Sequence, residues 1–550
     1  ASDEALTDAE RAHQEKMNLL IKRPMDKVVF SKMIDQSFRA SSTARVADQM
    51  AYLLNRFGIP AFFKGFELLG LHLLLNVGNL FHGVFIPFMI IQMRQQSNDV
   101  ILPGESKPLY KHLNARKKQG IRMNVNQLGE AMLGEADAQA RFDNYVKYLQ
   151  DPNIEYISIK ISTIYSQISH VAHTETIAVL EERLAKLYKI SQENEFIRPD
   201  GTKVKKFVNL DMEEYKDLEI TYDLFVKTLD RPELKHCQAG IVFQAYLPDS
   251  YQFMLKLTEW AKKRVADGGA PVKVRIVKGA NMEMERVEAS ERVWPLAPYR
   301  SKVEVDANYK RMLELGMQPE NIKAVRLGIA SHNLFELAYA YKLAQHHGVN
   351  EYFVFEMLEG MALHVTRTIR KVQDVLLYAP VTEKEGFINA IAYLIRRLDE
   401  NTGPENFLSY SFGLSVGSDD WNMLKDIFVR SYLIKDKLSI PSYRLQSRLT
   451  ETFEASTTYD FSGFENEPDT DFSLSDNVEW VKQIRAKWQP TASTAPHQVP
   501  IVVAGEEIFQ DREVRELIDR SLAPEKVVTT QYRMATSADA KRAVEVAKAD

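Results

Sequence analysis

The stretch VKVRIVK at residues 272–278 is short, rich in β-branched side chains, and followed by a longer amphipathic segment. This pattern is typical of a β-strand that leads into a helix. Seven more runs of this kind occur on either side of it. In chain order the eight runs are IRMNV (121–125), IEYISIKIS (154–162), FVNLDM (207–212), GIVFQAY (240–246), VKVRIVK (272–278), AVRLGIA (324–330), YFVFEM (352–357) and DVLLYAP (374–380).

Eight strand-then-helix units in about 280 residues match the count and length of a closed (β/α)8 barrel. The helical partners include TIAVLEERLAKLYKIS (176–191) and LFELAYAYKLAQHH (334–347). An open doubly wound sheet is the alternative, but it needs a glycine-rich first turn that the sequence lacks. The pattern therefore predicts an α/β fold built around a (β/α)8 barrel.

The barrel prediction divides the chain into four parts. Residues 1–110 are predicted to form a helical arm domain, and residues 111–400 the barrel, which ends in a helix at 385–400. Residues 401–489 are acidic in patches and are predicted to be an irregular wrap and linker. Residues 490–550 begin with a linker-like composition and continue with a predicted strand pair and a helix.

Composition limits the setting and the partners of the protein. The chain has 550 residues and a net charge of -5, which provides no electrostatic argument for a nucleic-acid partner. Cys237 is the only cysteine, so an intrachain disulfide and a thiolate metal cluster are excluded. The first residues lack the layout of a secretion signal. A cytoplasmic setting is expected.

One apolar stretch qualifies this expectation. LLGLHLLLNVGNLFHGVFIPFMII, residues 68–91, has no formally charged side chain and is long enough to cross a bilayer. It also contains His, Asn, Gly and Pro. This composition favours a buried or interfacial helix over a membrane span, and it leaves peripheral contact with a membrane open.

Polar side chains recur where the predicted strands end. In a (β/α)8 barrel the active site lies at the C-terminal ends of the strands, and charges buried there are costly unless they pair or bind something. These residues are therefore candidates for a functional site. They are Lys160, Asp211, Met212, Gln244, Arg275, Lys278, Ser331, His332, Asn333, Glu356 and Tyr378.

Each candidate also has a purely structural interpretation. Lys160 could pair with Asp211 inside the barrel mouth. Glu356 could pair with Arg275, and His332 could be a satisfied core histidine. No paired-histidine motif such as HExxH occurs, so no metal site is predicted.

The stretch YLIRRLDE, residues 393–400, follows the eighth predicted strand. Tyr393, Arg396, Arg397 and Glu400 fall on one face of a helix, at i, i+3, i+4 and i+7. That face could be a solvated surface with a weak Arg396–Glu400 pair. It could also be a carboxylate clamp, since guanidinium groups match carboxylates and stay charged. Its position after the last strand favours the clamp and an anionic substrate.

The ordered set IKIS, NLDME, FQAY, VRIVKGA, ASHN, LYAP and YLIRR resembles the proline dehydrogenase domain of the bifunctional proline utilisation A flavoproteins. LGEAMLGEADAQARFDNY (128–145) resembles that family's approach to the barrel. The tail from about residue 498 resembles the first residues of an aldehyde dehydrogenase fold, so residues 490–550 are expected to begin such a domain.

The resemblance implies a (β/α)8 barrel that binds FAD noncovalently and oxidises L-proline to pyrroline-5-carboxylate. Electrons would pass to a membrane quinone, so peripheral association with the inner membrane is expected. A second, NAD-dependent oxidation of glutamate semialdehyde is expected only if the chain continues past residue 550, because it needs a catalytic cysteine and a nucleotide fold. We expect a homo-oligomer and no nucleic-acid partner.

The resemblance also implies residue roles. Arg396 and Arg397 would ion-pair with the proline carboxylate, with Lys160 as a third cation, and Arg275 would lie near the reactive flavin nitrogen. The other implied roles are support of the arginines by Tyr393 and Glu400, packing of Tyr378 on the proline ring, an electrostatic contribution from Asp211, and flavin contacts by Met212, Gln244, Ile276, Val277, Lys278, Gly279, Ser331, His332 and Glu356.

The sequence departs from the family pattern at two places. Asn281 and Met282 follow VKGA where many members have Tyr-Trp, and FEMLEGMA replaces a version that contains Gln and His-Gly. Two other functions are considered. One is a barrel lyase or aldolase that forms a Schiff base on Lys160, and the other is a membrane-associated scaffold that uses residues 68–91.

Overall fold

A computed structural model describes residues 7, 11, 15, 22–38, 40–129, 132–402, 406–410, 414–452, 463, 466–490, 494–522 and 526–549. The chain divides into two compact units. The larger unit comprises Ala1–Gln446 and Glu454–Leu474, and the smaller unit comprises Ser447–Phe453 and Ser475–Asp550.

The larger unit contains a closed barrel of eight parallel strands. Each strand pairs with the next in the chain, and the last pairs with the first, with Tyr378 opposite Asn124. The predicted (β/α)8 barrel is therefore confirmed. Its strands are β1 (Arg122–Gln127), β2 (Tyr156–Ile159), β3 (Phe207–Leu210), β4 (Gly240–Gln244), β5 (Val272–Val277), β6 (Val325–Ala330), β7 (Phe353–Leu358) and β8 (Val375–Thr382).

Helices precede and connect these strands, as the sequence pattern predicts. The predicted helix at 334–347 has those bounds, because the Asn333 side chain accepts a hydrogen bond from the Phe335 N–H and Gly348 adopts a left-handed φ of 68°. The barrel helices are Ser106–Lys118, Glu135–Gln150, Ile161–Ile164, His173–Glu193, Leu218–Leu229, Asp249–Ala266, Met282–Arg292, Lys302–Gly316, Pro319–Ile322, Leu334–His347 and Leu363–Ile369.

The quoted stretch in β5 shows how the barrel positions a site. Val272, Val274 and Ile276 are buried in the main hydrophobic core between strands and helices. Side chains alternate along a strand, so Lys273 and Arg275 point the other way, into the barrel. Both are buried. The interior thus contains charged residues where branched apolar ones usually pack.

The helical arm precedes the barrel and has its own core. Its helices are Pro24–Ser37, Thr43–Phe57 and Gly65–Gln96, the last of which we call the arm helix. The arm helix has a kink at Phe81, before Pro87. Leu71, Leu74 and Ile86 face the arm core.

The opposite side of the arm helix is apolar and exposed. Its eight large side chains recur at helical spacing, and we call them the apolar face: Leu69, Leu73, Val77, Leu80, Phe81, Val84, Phe88 and Ile91. The apolar segment at 68–91 is therefore buried on one side only. No helix in the described part of the chain is both long and apolar enough to span a membrane.

The prediction that residues 401–489 are irregular is wrong for two long segments, besides the short helix Phe407–Tyr410. Asp419–Ile434 and Ser475–Trp488 are helices. The first begins where the Ser418 side chain accepts a hydrogen bond from the Trp421 N–H. It packs on the barrel helices, with Phe428 close to Phe335. Capping and tertiary packing therefore outweigh the acidic composition from which an irregular structure was predicted.

In its described residues the smaller unit contains short strands and the α-helices Ser475–Trp488 and Ser537–Ala549. Ile501–Val503 pairs with Glu506–Ile508 as the predicted strand pair, and the predicted last helix is Ser537–Ala549. A three-stranded sheet joins His497–Val499, Val527–Arg533 and Val514–Asp519, in that order.

Candidate active site

A hydrogen-bonded network of charged residues fills the C-terminal end of the barrel. Arg275 of β5 donates to Asp211, which follows β3, over 2.5 Å. Tyr378 of β8 donates to the other Asp211 oxygen over 2.9 Å, and the Arg275 guanidinium lies 5.0 Å from the centre of the Tyr378 ring. Burial acts to lower the pKa of Arg275, but Asp211 and Glu356 hold it above its ordinary value. Three predicted residues therefore form one buried unit with a permanently charged centre.

Glu356 of β7 has two cationic partners. Its carboxylate lies 3.5 Å from Arg275, as the structural interpretation of the sequence proposed, and 2.5 Å from Lys273. Burial acts to raise the pKa of Glu356, yet the two cations hold it below the ordinary value. Glu356 is thus an ionised member of the interior.

Lys160 follows β2 and pairs with Glu213 over 3.2 Å, whereas Asp211 takes Arg275 as its ionic partner. The proposed Lys160–Asp211 pair is therefore wrong. Gln244, at the end of β4, donates to the Glu213 carbonyl over 3.0 Å. Among the described residues, its buried Oε1 atom has no hydrogen-bond partner.

Lys278 follows β5 and pairs with Asp306 over 2.5 Å and with Glu336 at 3.5 Å. Burial acts to lower the pKa of Lys278, but these two carboxylates raise it above the ordinary value. The next residue, Gly279, has a φ of 127°, and a Cβ there would lie 2.4 Å from the Tyr246 ring. Only glycine fits this strand end, because the Tyr246 ring occupies the space that a side chain would need.

His332 follows β6 and is neutral at physiological pH. Its Nε2 atom accepts a hydrogen bond from the Leu358 N–H over 3.1 Å, so the proton of the neutral ring lies on Nδ1. Burial, and then the charge of Arg397, lowers the pKa of His332 to about 4. Within the described residues the buried Nδ1 has no hydrogen-bond partner. The Nδ1–H group of His332 is therefore a fixed donor without an acceptor in the described residues. The core-histidine interpretation does not explain this, because a satisfied core histidine would have such an acceptor.

The helix predicted at 385–400 begins as a turn at Ile388–Ala390 and continues as Ile391–Thr402, which we call the clamp helix. Ile391 lies in the arm core, with Ile395 packed against it. The arm therefore orients the clamp helix by its apolar side.

The two arginines of the clamp helix differ in environment. Arg397 is buried, with its guanidinium 4.8 Å from the centre of the Tyr393 ring, and its charge acts on His332. Arg396 is exposed. The Glu400 side chain lies outside the described residues. The structure thus turns Tyr393 and Arg397 toward the strand ends.

The remaining predicted residues contribute less. Met212 is buried beside Asp211, and Val277 is partly buried at the end of β5. The Ser331 hydroxyl accepts a hydrogen bond from the Asn333 N–H. The Ile276 side chain is fully buried in the main core, and a flavin contact of this residue stays a prediction. Strand alternation turns that side chain away from the interior.

These residues fit a flat, hydrogen-bonding cofactor that accepts negative charge. Gln244 Oε1 and His332 Nδ1 supply an unsatisfied acceptor and donor. Arg275 and Lys278 supply positive charge beside them. A metal would need clustered ligands, and no group of three or more His, Cys, Asp and Glu suited to a metal is found in the described part of the chain.

Sequence inspection missed three partners of these residues. Glu213 directly follows the candidates Asp211 and Met212, and Lys273 precedes Arg275 by two positions, the spacing that puts both side chains in the interior. Both residues could therefore have been predicted from the sequence. Asp306 lies within the helix Lys302–Gly316, and no local pattern connects it with Lys278.

Fold and site together define a (β/α)8 barrel protein whose strand ends carry buried charges and unsatisfied polar atoms suited to an organic cofactor. Residues 109–410 match the family described as Proline dehydrogenase, which is more than half of the chain. The chain belongs to the proline dehydrogenase family, and this membership implies a flavin cofactor.

Relatives support the same assignment. The chain is 29% identical over 323 residues to the bifunctional protein PutA of Klebsiella aerogenes, covering 54% of this chain and 23% of that protein. A structure of proline utilization A from Corynebacterium freiburgense is 37% identical with a TM-score of 0.60, covering 74% of this chain and 38% of that one. The Bdellovibrio bacteriovorus structure is 27% identical with a TM-score of 0.73, covering 97% and 51%. The chain therefore spans about a quarter of the length of the curated relatives it matches.

Proposed function

We propose that this chain oxidises L-proline to pyrroline-5-carboxylate with noncovalently bound FAD as the electron acceptor. Membership of the proline dehydrogenase family supports the reaction. The observation that carries the proposal is a pair of buried arginines at one end of the barrel. Arg275 is held by Asp211 and Tyr378 inside the barrel, and Arg397 projects from the clamp helix near His332. One cation serves the cofactor and the other serves the substrate carboxylate.

The substrate would be fixed by its carboxylate. Arg397 provides a buried guanidinium, and Arg396 and Lys160 add positive charge at the same end of the barrel. Each charge-assisted hydrogen bond contributes about 1.5 to 3 kcal/mol. Tyr378 would pack against the proline ring, and Tyr393 would support Arg397 through the ring contact. Fixing the carboxylate orients the ring carbon beside the nitrogen, which is the carbon that reacts.

A flavin bound here would supply the redox chemistry, as the acceptor of the hydride that leaves this carbon. Arg275 places a positive charge where the cofactor gains negative charge. His332 donates from Nδ1 and Gln244 accepts at Oε1, so the two residues would fix the edges of the cofactor. The low pKa of His332, about 4, keeps this donor neutral and its tautomer constant at physiological pH.

The visible spectrum of the purified protein tests this proposal. We expect a yellow protein whose oxidised flavin band bleaches on anaerobic addition of L-proline, with D-proline as the control. The Bdellovibrio bacteriovorus relative is described as inactivated by N-propargylglycine, and we expect the same compound to inactivate this protein with loss of the flavin band. A colourless protein that cannot be reconstituted with FAD would refute the proposal.

A Schiff-base lyase that uses Lys160 makes a different prediction. Borohydride would then trap a carbonyl substrate on this lysine. The Lys160 amine is held in an ion pair with Glu213 over 3.2 Å, so we expect no trapping. A trapped adduct at Lys160 in a protein that binds no flavin would replace the proline proposal.

A membrane quinone is the proposed electron acceptor, and the apolar face of the arm helix is the proposed contact with the cytoplasmic side of the inner membrane. Eight exposed large apolar side chains with no charge between them are unusual for a surface in water. Sedimentation with phosphatidylcholine vesicles tests the contact. If the chain binds vesicles but proline never bleaches a flavin, the scaffold interpretation replaces the enzymatic one.

The Klebsiella aerogenes relative is called bifunctional, and NAD-dependent oxidation of glutamate semialdehyde belongs to this proposal only for a chain that continues past Asp550. The 550-residue chain is expected to reduce no NAD with that substrate. Homo-oligomer formation stays a prediction, which the mass in solution would measure.

A further inference from the structure

A second buried ion pair lies beside Arg275 inside the barrel, and its lysine is two residues nearer the start of β5. Lys273 and Glu356 are 2.5 Å apart, and their exposures are 8% and 3%. Lys273 precedes Arg275 by two positions on β5, so the two side chains point the same way and their Cα atoms are roughly 6.6 Å apart. We call Lys273 and Glu356 the interior pair. None of the roles implied by family resemblance includes Lys273.

The barrel has a specific space for the interior pair. A Cβ on Gly328 of β6 would lie 2.1 Å from Glu356 Oε1 and 2.8 Å from Lys273 Cε. Gly328 has no positive φ, so its backbone conformation does not require glycine. The absence of a side chain at this position is what admits the pair.

Hydrogen bonds link the interior pair to Arg275 on two sides. On one side, Glu356 Oε2 lies 3.5 Å from Arg275 Nη1. On the other side, Lys273 contacts the Tyr156 hydroxyl at 3.4 Å. The chain of contacts continues from Tyr156 to Asn209 at 3.3 Å and from Asn209 to Asp211 at 3.0 Å, and it ends on the partner of Arg275. The interior pair and Arg275 thus belong to one closed network.

The charges of this network balance. Lys273 and Arg275 are two cations, and Asp211 and Glu356 are two anions. Without Lys273, Glu356 would draw the Arg275 guanidinium away from Asp211 or would take up a proton. A buried ion pair is a poor source of stability compared with packed apolar residues, so a positioning role explains its presence better.

We propose that Lys273 is a positioning residue, which neutralises Glu356 so that Arg275 stays on Asp211 and presents its charge to the flavin. This inference rests on the proposed function, since it requires a flavin beside Arg275. Reduction adds negative charge to the flavin, and nearby positive charge therefore makes reduction easier. The interior pair would set the flavin midpoint potential without contacting proline.

The test measures the midpoint potential of the bound flavin in three variants of the holoenzyme. Lys273→Met should lower the potential, because Glu356 then opposes the charge of Arg275. Glu356→Gln should raise it, because a carboxylate is removed from Arg275. The double variant should return toward the wild-type potential. In each variant kcat for proline should change more than KM, because the carboxylate clamp is intact.

A matched control separates this role from general destabilisation. Lys206 is also a buried lysine, and it donates to the backbone carbonyls of Asp151 and Ile154 before β3 begins, at the opposite end of the barrel. Lys206→Met should lower the melting temperature and leave the potential unchanged.

Unchanged potentials in the flavin-loaded variants, or an equal shift in Lys206→Met, would overturn the inference. If Lys273→Met does not fold, Glu356→Gln still tests it, because glutamine keeps the size of the side chain and an acceptor for Lys273. A wild-type protein that binds no flavin would refute the proposed function instead.

Discussion

The barrel interior and the arm helix depart from ordinary burial in opposite directions. In the interior, Arg275, Asp211, Lys273 and Glu356 are charged yet buried. On the arm helix, the eight side chains of the apolar face are hydrophobic yet exposed, with Leu80 at 79%. Folding alone favours neither arrangement, because buried charges lose hydration and exposed apolar groups order water.

The two regions therefore need different partners. The interior satisfies its charges internally, so its network exists before any ligand binds and can orient one. The apolar face stays exposed in the described part of the chain. Contact with another apolar surface would remove its side chains from water. The barrel interior is preorganised to bind small molecules, and the apolar face of the arm helix is suited to contact with an extended apolar surface.

Breaking the interior network at Asp211 should have the largest effect on stability. Asp211→Ala removes the closest carboxylate of Arg275 and leaves a buried cation, which costs about 3 to 5 kcal/mol of unfolding free energy. Urea denaturation measures this. The exposed Asp426→Ala is the control and should change stability by less than about 0.5 kcal/mol. A loss below about 1 kcal/mol for Asp211→Ala would mean that Glu356 alone satisfies Arg275.

Comparing the two clamp arginines sharpens the contrast between buried and exposed charge. Arg397→Met should raise KM for L-proline about 10- to 150-fold, equivalent to about 1.5 to 3 kcal/mol, with flavin retained. Arg396→Met should raise KM less, because its exposed charge is screened by water. Steady-state kinetics at saturating electron acceptor measures both. Equal increases in KM would show that Arg396 also moves into contact with the bound substrate.

The neutral state of His332 predicts how stability depends on pH. The unfolded histidine takes up a proton near pH 6.5, whereas the folded one does so only near pH 4. Protons therefore bind the unfolded state first, and stability falls by about 3 kcal/mol between those two pH values before the effect levels off. His332→Gln should remove this part of the pH dependence. The prediction would be wrong if the free energy of unfolding changed by the same amount between pH 7 and pH 4 in the variant and in the wild type.

The apolar face should show the smallest effect of a single substitution. Leu80→Ser and Val84→Ser should each weaken binding to phosphatidylcholine vesicles by about 1 kcal/mol, roughly fivefold. Proline oxidation with a soluble acceptor should not change. Ala44→Ser, at an exposed position of the helix Thr43–Phe57, is the control. Full vesicle binding by the double variant would exclude this face as the contact.

Much of the barrel was predictable because its signals are local. All eight predicted strand runs overlap observed strands, and the helix at 334–347 has its predicted bounds, since β-branched runs, caps and apolar spacing act within a few residues. The site list followed from the general rule that strand ends of a barrel carry its chemistry. Arg275, Asp211 and Tyr378 are in direct contact, as that rule leads one to expect.

Other features depend on distant partners. Sequence periodicity treats Arg396 and Arg397 alike, and only the packing of Ile391 in the arm core turns Arg397 inward. Lys160 lies near several carboxylates in the predicted barrel mouth, and the folded geometry pairs it with Glu213. The helix Asp419–Ile434 was missed because its stability comes from packing on the barrel helices.

By itself the amino-acid sequence determined the eight strand-helix units, the polar strand ends and the uncharged stretch at 68–91, because each is written in neighbouring residues. Only the tertiary structure decided which charges pair, which clamp arginine is buried, and which side of the arm helix is exposed. The physical reason is that the energy of a charge or an apolar group depends on what surrounds it in space. Lys273 illustrates this: on β5 it is one more polar residue, and in the closed barrel it becomes the counter-charge of Glu356 beneath Arg275.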